Sequence, residues 1–414
     1  MLKNYLKVAL RGLWKNKAFS VINIVGLAAG LSVCLLIVLY VTDELSYDRY
    51  NTKADRIYRT SADIFFNNTQ FSAAASPRPL GAALIKDFPQ IEQVVRISPW
   101  GNMLVKKGKD NIQELHSARV DSNFLKVFTV RMLYGDAATA LNGPNSIVID
   151  ESTAKKYFDK TDVVGQTLIV NDSKPYQVTG VFRDFPQQSH FHFNFLRALH
   201  EEFPGQDNDW LSNNHNTYIL VRPGISQATL QGYVDQTIHT YLYKQLQETV
   251  HVNAKDMERQ GSHFRYPVMP LTDIHLHSNL TFEIEANSDV TYVYIFSVIA
   301  GLILLIACVN FMNLSTARSA GRAKEVGIRK VAGSLRGNLI NQFLTESILI
   351  SFVSMLLAFG LAALLLPMFN RLAGKQLQAE TLLSFRFLSI SMLLVILVGF
   401  LAGSYPAFYL SSFN

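Results

Sequence analysis

The chain has 414 residues, of which 49% are hydrophobic and only 17% are charged, and its formal net charge is +6. Four runs contain no Asp, Glu, Lys, Arg or His: residues 18–42, 290–317, 347–370 and 387–414. Each run exceeds the roughly 20 apolar residues that a helix needs to cross a bilayer core. The composition therefore excludes a soluble single-domain enzyme, a disordered chain and a disulfide-linked scaffold, and it predicts a membrane protein with four spanning helices.

The N-terminal segment, residues 1–17, contains five basic side chains and no acidic one. We expect it to be a basic amphipathic segment on the cytoplasmic side. Residues 18–42 are the first predicted transmembrane helix, because a cleaved signal peptide would have an apolar region of only about 7–15 residues. Inside this helix, the spacing of Gly26 and Gly30 allows close packing against a second helix. Glycine is also common in spanning helices in general, so the packing role and a neutral one both stay open.

Residues 43–289 form a long polar segment with 24 basic and 29 acidic side chains. Its mixture of short β-like runs, turn formers and helical spacing predicts a large mixed α/β domain inserted between the first and second spanning helices. The predicted strands cover 145–150, 167–170, 176–182 and 267–276, and the predicted helices cover 152–158 and 228–250.

All ten histidines lie in this polar segment. His190 and His192 are two positions apart, as are His275 and His277. On a strand this spacing would place both rings on one face, where they could bind a metal. No cysteine or His-Glu-x-x-His pattern joins them, so ordinary surface or packed histidines are the favoured interpretation, and no metal ligand is predicted.

Three more spanning helices follow the polar segment. The loop between the second and third has a net charge of +5 over residues 318–336, as do residues 1–17. Short basic segments beside spanning helices stay in the cytoplasm, so we expect both chain ends inside and the large domain outside. The predicted bounds are 290–317, 341–367 and 387–410 for the helices, 318–340 for the cytoplasmic loop and 368–386 for a short periplasmic loop.

Glu346 is an acidic side chain at the start of the third spanning helix, where a charge is costly unless it is paired. A structural ion pair with Arg318, Arg322 or Arg329 is one interpretation, and a part in a moving gate is the other. Cys34 and Cys308 fall inside predicted spanning helices. We interpret both as small apolar side chains that fill space between helices, and no disulfide is expected.

Motifs for common enzyme chemistry are missing from the sequence. It contains no Gly-x-x-x-x-Gly-Lys-Ser/Thr phosphate loop and no Gly-x-Ser-x-Gly elbow. We therefore predict no catalytic residue and no cofactor-binding residue, and an enzyme of the cell envelope is the least favoured interpretation. The acidic balance of the large segment likewise argues against binding to nucleic acid.

One sequence motif is specific enough to indicate a protein family. The loop after the second spanning helix contains Arg322-Ala-Lys-Glu-Val-Gly-Ile-Arg-Lys-Val-Ala-Gly333, and a short amphipathic helix over 320–331, lying on the membrane surface, is predicted there. With Gln342-Phe-Leu-Thr-Glu-Ser347, this run resembles the signature of the FtsX-like permeases of ABC exporters. Further runs are similar to the periplasmic core domain of MacB-like permeases, and they lie at 45–50, 55–59, 146–158, 164–166, 178–186 and 271–276.

The resemblance implies one permease module that works with a separate cytoplasmic ATPase subunit, which binds the ATP, and with a second permease module, as a homodimer or a fused second half. It assigns docking on the ATPase to a coupling helix formed by Arg322, Lys324, Glu325, Gly327, Ile328 and Arg329. It also implies mechanotransmission, in which ATP-driven closure of the ATPase moves the external domains. Only 17 residues precede the first spanning helix, so we expect the ATPase on another chain, and the last residues resemble the end of a module that continues into a second copy in many related permeases.

Two functions of different class remain open on these grounds. The first is a permease subunit of the bacterial inner membrane that exports antimicrobial, peptide-like or lipid-like substrates, with a periplasmic adaptor or substrate protein as a further partner. The second is an FtsX-like regulator that switches an envelope protein such as a cell-wall hydrolase without transport. Fold alone does not choose between them.

Overall fold

The computed structural model describes residues 11, 14, 17–99, 102–171, 173–199, 208–251, 261–331 and 336–412, with the backbone alone at 250, 318–327, 329–330 and 405–412. The chain divides into two compact units. We call Ser46–Asp289 the large domain, and Met1–Leu45 with Val290–Asn414 the helical unit.

The α-helices of the described residues follow one another from the first apolar run to the last. In chain order they are α1 (Lys17–Glu44), α2 (Leu80–Asp87), α3 (Phe124–Val127), α4 (Glu151–Phe158), α5 (Gln227–Thr237), α6 (Tyr243–Val250), α7 (Ile274–His277), α8 (Val290–Val331), α9 (Arg336–Ala373) and α10 (Phe385–Ser412).

The strands of the described residues all belong to the large domain. In chain order they are β1 (Ile57–Thr60), β2 (Ala62–Phe66), β3 (Thr69–Ala73), β4 (Ser76–Pro77), β5 (Ile91–Ser98), β6 (Met103–Lys107), β7 (Asp110–Glu114), β8 (Ser117–Val120), β9 (Met132–Tyr134), β10 (Ser146–Asp150), β11 (Thr167–Val170), β12 (Lys174–Phe182), β13 (Phe195–Ala198), β14 (Asn213–Val221), β15 (His263–Arg265) and β16 (Val268–Pro270).

Four helices of the helical unit are long and apolar enough to cross a membrane. They are α1, the first 28 residues of α8, α9, and the first 20 residues of α10. Leu27, Leu31, Ala358 and Val398 belong to the apolar core that they share. Four apolar helices are therefore present, as the charge-free runs predicted.

The helices run further than those charge-free runs. Helix α8 continues without a break to Val331, so the prediction of a separate short helix over 320–331 is wrong. Alanine, arginine, lysine and glutamate there are good helix formers, and no proline interrupts the run. Helix α9 likewise continues past Pro367 to Ala373, so the predicted loop at 368–386 begins with a helix and then contains a 3₁₀ turn at Ala379–Leu383.

A large mixed sheet forms the centre of the large domain. Its strand order is β16-β1-β14-β5-β8-β13-β10-β12-β11-β6-β7, with β4 beside β14 and β9 beside β12, and β15-β2-β3 form a second sheet. Most neighbours are antiparallel, but β10 and β12 are parallel, as are β8 and β13. Successive side chains of β5 point to opposite faces of the sheet. Val95 and Ile97 therefore belong to the apolar core on one face, and Val94 belongs to a separate core on the other face.

Local sequence signals explain several of these elements. The side chain of Asp150 accepts a hydrogen bond from the backbone N–H of Thr153 and caps α4, and Asp159 ends that helix in the left-handed conformation. The helix predicted over 228–250 is present as α5, a π turn at Ile238–Leu242 and α6.

The strand predicted over 267–276 is only partly correct. It ends at Pro270, and the chain turns into a 3₁₀ turn at Leu271–Asp273 and then into α7. Proline cannot donate a hydrogen bond to a sheet, so Pro270 terminates the strand. The strand geometry that would put each histidine pair on one face is not present at either place. His275 and His277 lie in α7, and His190 and His192 lie in irregular chain before β13.

Candidate functional site

The predicted coupling residues all lie in the last part of α8. The backbones of Arg322, Lys324, Glu325, Gly327 and Arg329 are helical, and their side chains lie outside the described residues. The side chain of Ile328 is described and is 63% exposed, and Val331 at the end of the helix is 91% exposed. The described part of this segment therefore offers apolar surface on a regular helix.

Helix α8 contains both this segment and the charge-free run that follows the large domain in the sequence, residues 290–317. Its 42 residues form one helix, which at a rise of about 1.5 Å per residue is roughly 63 Å long. A bilayer core is only about 30 Å thick. The helix is therefore longer than a bilayer core is thick, and its two ends are parts of one continuous helix.

Glu346 lies ten residues into α9 and is buried. Ser347, Ser351 and Ser354 follow it on the same helix and are also buried, so polar groups line part of this helix. The side chains of the arginines proposed as its partners lie outside the described residues. An ion pair of Glu346 with one of them stays a prediction.

The first predicted glycine pair faces α8. A Cβ atom added at Gly30 would lie 2.9 Å from Cβ of Ala307, closer than real side chains approach. A Cβ atom at Gly26 would lie 3.6 Å from Nδ2 of Asn310, an ordinary contact. Of the two glycines, Gly30 is the one at which α1 and α8 approach too closely for a side chain.

A second glycine pair with the same spacing was missed in the sequence. A Cβ atom at Gly399 would lie 2.8 Å from Cα of Ile348, and one at Gly403 would lie 2.6 Å from Oγ of Ser347. Helix α10 therefore packs with its backbone directly against α9. The small-x-x-x-small spacing is the signal that would have identified it.

An ion cluster that sequence reasoning missed fixes the connection between α9 and α10. The ammonium group of Lys375 lies 2.6 Å from Glu44 Oε1 and 3.2 Å from Asp43 Oδ2, and all three side chains are largely buried. The same ammonium lies 6.0 Å from the ring centre of Tyr40, which also packs edge-on against Phe296 of α8. One lysine thus holds this connection against the end of α1.

The first residues of the large domain are bound to a short stretch that we call the histidine segment, residues 188–192. The backbone N–H of Asp48 donates to the carbonyl oxygen of Gln188 at 2.8 Å. The carboxylate of Asp48 lies 2.8 Å from Nδ1 of His190, and Nε2 of that ring is 2.7 Å from the hydroxyl of Tyr218. All three side chains are buried, and Tyr218 belongs to the central strand β14.

The last residues of the large domain are bound by a buried arginine. Arg59 in β1 donates from both terminal nitrogens to Glu283, at 2.5 and 2.9 Å, and also to Oγ of Ser278 at 2.6 Å. Arg59 is only 1% exposed. Two parallel hydrogen bonds between a guanidinium and a carboxylate fix direction as well as distance.

A second carboxylate in the same stretch is bound by the histidine segment. Glu285 accepts from the backbone N–H of His192 at 2.5 Å and lies 2.8 Å from its Nδ1, while Nε2 is 2.9 Å from the carbonyl oxygen of Pro186. Both ring nitrogens face acceptors, which suits the doubly protonated ring. Burial lowers the pKa of His192, but its bonds to Glu285 and Pro186 outweigh burial and leave that pKa raised.

The pKa of the partner carboxylate is shifted in the complementary direction. Burial raises the pKa of Glu285, but the hydrogen bonds and charge of His192, with a smaller contribution from His116, leave it lowered. The ion pair is therefore favoured at pH values between the two titrations. It weakens as pH rises through the pKa of His192 and as pH falls through that of Glu285.

Another buried histidine lies on β14. Among the residues that the structure describes, neither ring nitrogen of His215 has a hydrogen-bond partner. Burial lowers its pKa to about 4, helped by the positive charges of Arg96 and Arg78. Among the residues that the structure describes, no group of three or more His, Cys, Asp or Glu side chains is arranged to hold a metal ion.

Two family models match this chain. The model described as the MacB-like periplasmic core domain matches residues 20–237. The model described as the FtsX-like permease C-terminal matches residues 297–414. The second match begins within α8 and contains the predicted coupling residues.

Curated relatives match over most of the chain at low identity. The ABC transporter permease YknZ of Bacillus subtilis, described as uncharacterised, is 21% identical over 411 residues, which are 97% of this chain and 95% of YknZ. The pyoverdine export ATP-binding/permease protein PvdT of Pseudomonas syringae pv. syringae is 23% identical over 385 residues, which are 87% of this chain. The chain spans 52% of the length of that relative.

Among solved structures, the periplasmic region of MacB from Actinobacillus actinomycetemcomitans is similar to part of the chain. It is 14% identical with a TM-score of 0.36, and the alignment covers 53% of this chain and 91% of the solved one.

Proposed function

Because the chain belongs to the family of ABC transporter permeases that combine a MacB-like periplasmic core domain with an FtsX-like permease domain, we propose that it is the permease subunit of an export or mechanotransmission complex. An ATPase partner on the cytoplasmic side supplies the energy. The permease converts closure of that partner into movement of the large domain on the other side of the membrane.

The continuity of α8 is the observation that carries this proposal. The helix contains the coupling residues at one end, and its first residue, Val290, directly follows the last residue of the large domain. A helix without a break transmits a push or a rotation along its length, whereas a loop between span and coupling helix would absorb it. The geometry suits transmission of movement better than it suits chemistry on this chain.

The spanning helices support the same interpretation. Among the described residues, their buried polar side chains are mainly serines, and the larger ones inside the charge-free runs and at the start of α9 are Asn23 and Glu346. A hydrophilic substrate path needs many polar groups along its lining. Cargo that the moving large domain handles outside the membrane needs no polar lining between the spanning helices.

Co-purification with a candidate ATPase tests the proposal. The full chain is expressed with the ATPase, purified from membranes, and scored for retained ATPase and for ATP turnover. We expect Ile328→Asp to release the ATPase, because it places a charge on the exposed apolar surface of the coupling segment. Ile328→Leu is the matched control and retains the partner.

Folding is not expected to change in either variant, since the replaced side chain is largely exposed. Retention of the ATPase by Ile328→Asp at the level of the control would contradict the coupling assignment. Absence of any ATPase on the unaltered chain, with every candidate encoded beside it, would contradict the permease function as a whole.

A further inference from the structure

The last segment of the large domain, residues 278–289, is the part that continues into α8, because Asp289 and Val290 are consecutive. In the proposed mechanism a displacement of α8 reaches this segment first. The side chains that bind the segment to the rest of the domain then decide whether the domain follows. Two carboxylates of the segment, Glu283 and Glu285, make such bonds.

We infer that Glu283 and Glu285, held by Arg59 and His192, are the positioning residues through which a movement of α8 is passed to the sheet of the large domain. The inference rests on the proposed function, and it adds the residues that carry the movement inside the domain. Neither carboxylate is part of the coupling segment or of the spanning helices.

Arg59 is suited to this role by its place in the sheet. It lies on β1, which is paired on one side with β14 and on the other with β16. Its guanidinium is buried and makes a forked pair with Glu283, while Ser278 donates to the same carboxylate at 2.5 Å. A forked, buried pair resists both sliding and rotation, so the segment and strand β1 move together.

His192 connects the same segment to a different part of the domain. The ring and the backbone N–H of His192 both bind Glu285. Two residues earlier, His190 lies against Asp48 at the beginning of the domain and against Tyr218 in β14. The histidine segment therefore holds the first and last segments of the domain to each other and to the sheet.

The two attachments differ in their response to pH. The His192 ring is surrounded by the carboxylate of Glu285, the carbonyl oxygen of Pro186 and, further away, Asp48, while His116 acts on Glu285. Deprotonation of His192 removes the charge that attracts Glu285. A guanidinium is always charged in proteins, so the dependence on pH belongs to the His192 attachment.

The experiment measures ATP-dependent movement within the full chain bound to its ATPase in lipid nanodiscs. Spin labels are placed at Val331→Cys, on the end of α8, and at Lys109→Cys, on the turn between β6 and β7, in a background that lacks Cys34 and Cys308. The combined variant His192→Gln with Glu285→Gln tests the inference. Arg56→Gln is the control, because it breaks an ion pair of similar exposure, with Glu92, elsewhere in the domain.

ATP is expected to shift the distance between the labels in the unaltered chain and in Arg56→Gln. The combined variant is expected to lose part of that shift, because the Arg59 attachment remains, while its unfolding temperature matches that of the control. Raising the pH through the titration of His192 should reduce the shift in the unaltered chain and in the control, and should change nothing further in the combined variant.

The outcomes separate this inference from the function on which it rests. A full shift in the combined variant, with the pH response of the unaltered chain, overturns the inference and leaves the permease function intact. A chain that retains no ATPase, or that shows no shift before any substitution, overturns the permease function itself.

Discussion

His215 shows how a single buried side chain makes stability depend on pH. Its folded pKa is about 4, whereas an unfolded histidine titrates near 6.5. Between these values the unfolded chain binds the extra proton and the folded chain does not, so stability falls as pH falls. From pH 7 to pH 5, the free energy of unfolding that this one group removes is about 2 kcal/mol.

We therefore predict that the stability of the full chain falls less on acidification when His215 is replaced, as in His215→Gln. The measurement is the unfolding temperature of the detergent-purified protein at pH 7 and at pH 5, with His277→Gln, an exposed histidine, as the control. Between pH 7 and pH 5, the unfolding temperature should fall further in the unaltered chain and in the control than in His215→Gln. Equal losses in all three proteins would show that folding does not lower the pKa of His215.

Residue-scale contacts were the part of the site that the sequence did not predict. Asp48 and His190 are separated by 142 positions, and Arg59 and Glu283 by 224. Periodicity and motif spacing report on neighbours along the chain and contain no information on such pairs. The spacing of His190 and His192 marked them as a pair that would share one face on a strand. The irregular backbone instead lets one ring bind the first segment of the domain and the other ring bind the last segment.

Whole elements were more predictable than contacts, because a bilayer imposes a minimum apolar length. The four charge-free runs identified four helices, and only their ends were wrong. Charged residues stop a hydropathy run but not a helix, so α8 continues to Val331 and α9 begins at Arg336. The strand at 267–276 failed for the opposite reason, since its apolar pattern continues through a proline that ends the strand.

Packing between α9 and α10 provides a prediction for whole elements. At Gly399 an added Cβ would meet backbone atoms of Ile348, which cannot rotate away. We expect Gly399→Ala to push the two helices apart and to lower stability by roughly 1–3 kcal/mol, the usual cost of overpacking. Gly360→Ala is the matched control, because no described atom of another helix lies within 4 Å of its added Cβ.

Thermal unfolding of the two purified alanine variants in the same detergent compares them directly. The control should unfold at or above the temperature of the unaltered chain, since alanine is the better helix former. An equal temperature for Gly399→Ala and Gly360→Ala would show that α9 and α10 are not in close backbone contact in solution.

At the scale of the whole molecule, the distribution of charge makes the orientation in the membrane predictable. Segments 1–17 and 318–336 each carry a net charge of +5, whereas the large domain is acidic overall. Positive charge next to spanning helices is retained on the cytoplasmic side. The large domain and the C-terminal end of α8 should therefore lie on opposite sides of the membrane, as the proposed transmission of movement requires.

Labelling of single cysteines with a membrane-impermeant maleimide tests this orientation in bacterial spheroplasts. Lys109→Cys, on an exposed turn of the large domain, should react in intact spheroplasts, and Val331→Cys only after the membrane is permeabilised. Cys34 and Cys308 are buried and should stay unreactive in both conditions. The reverse pattern would place the coupling segment outside, where no ATPase could reach it, and would leave the charge asymmetry of the chain without its usual consequence.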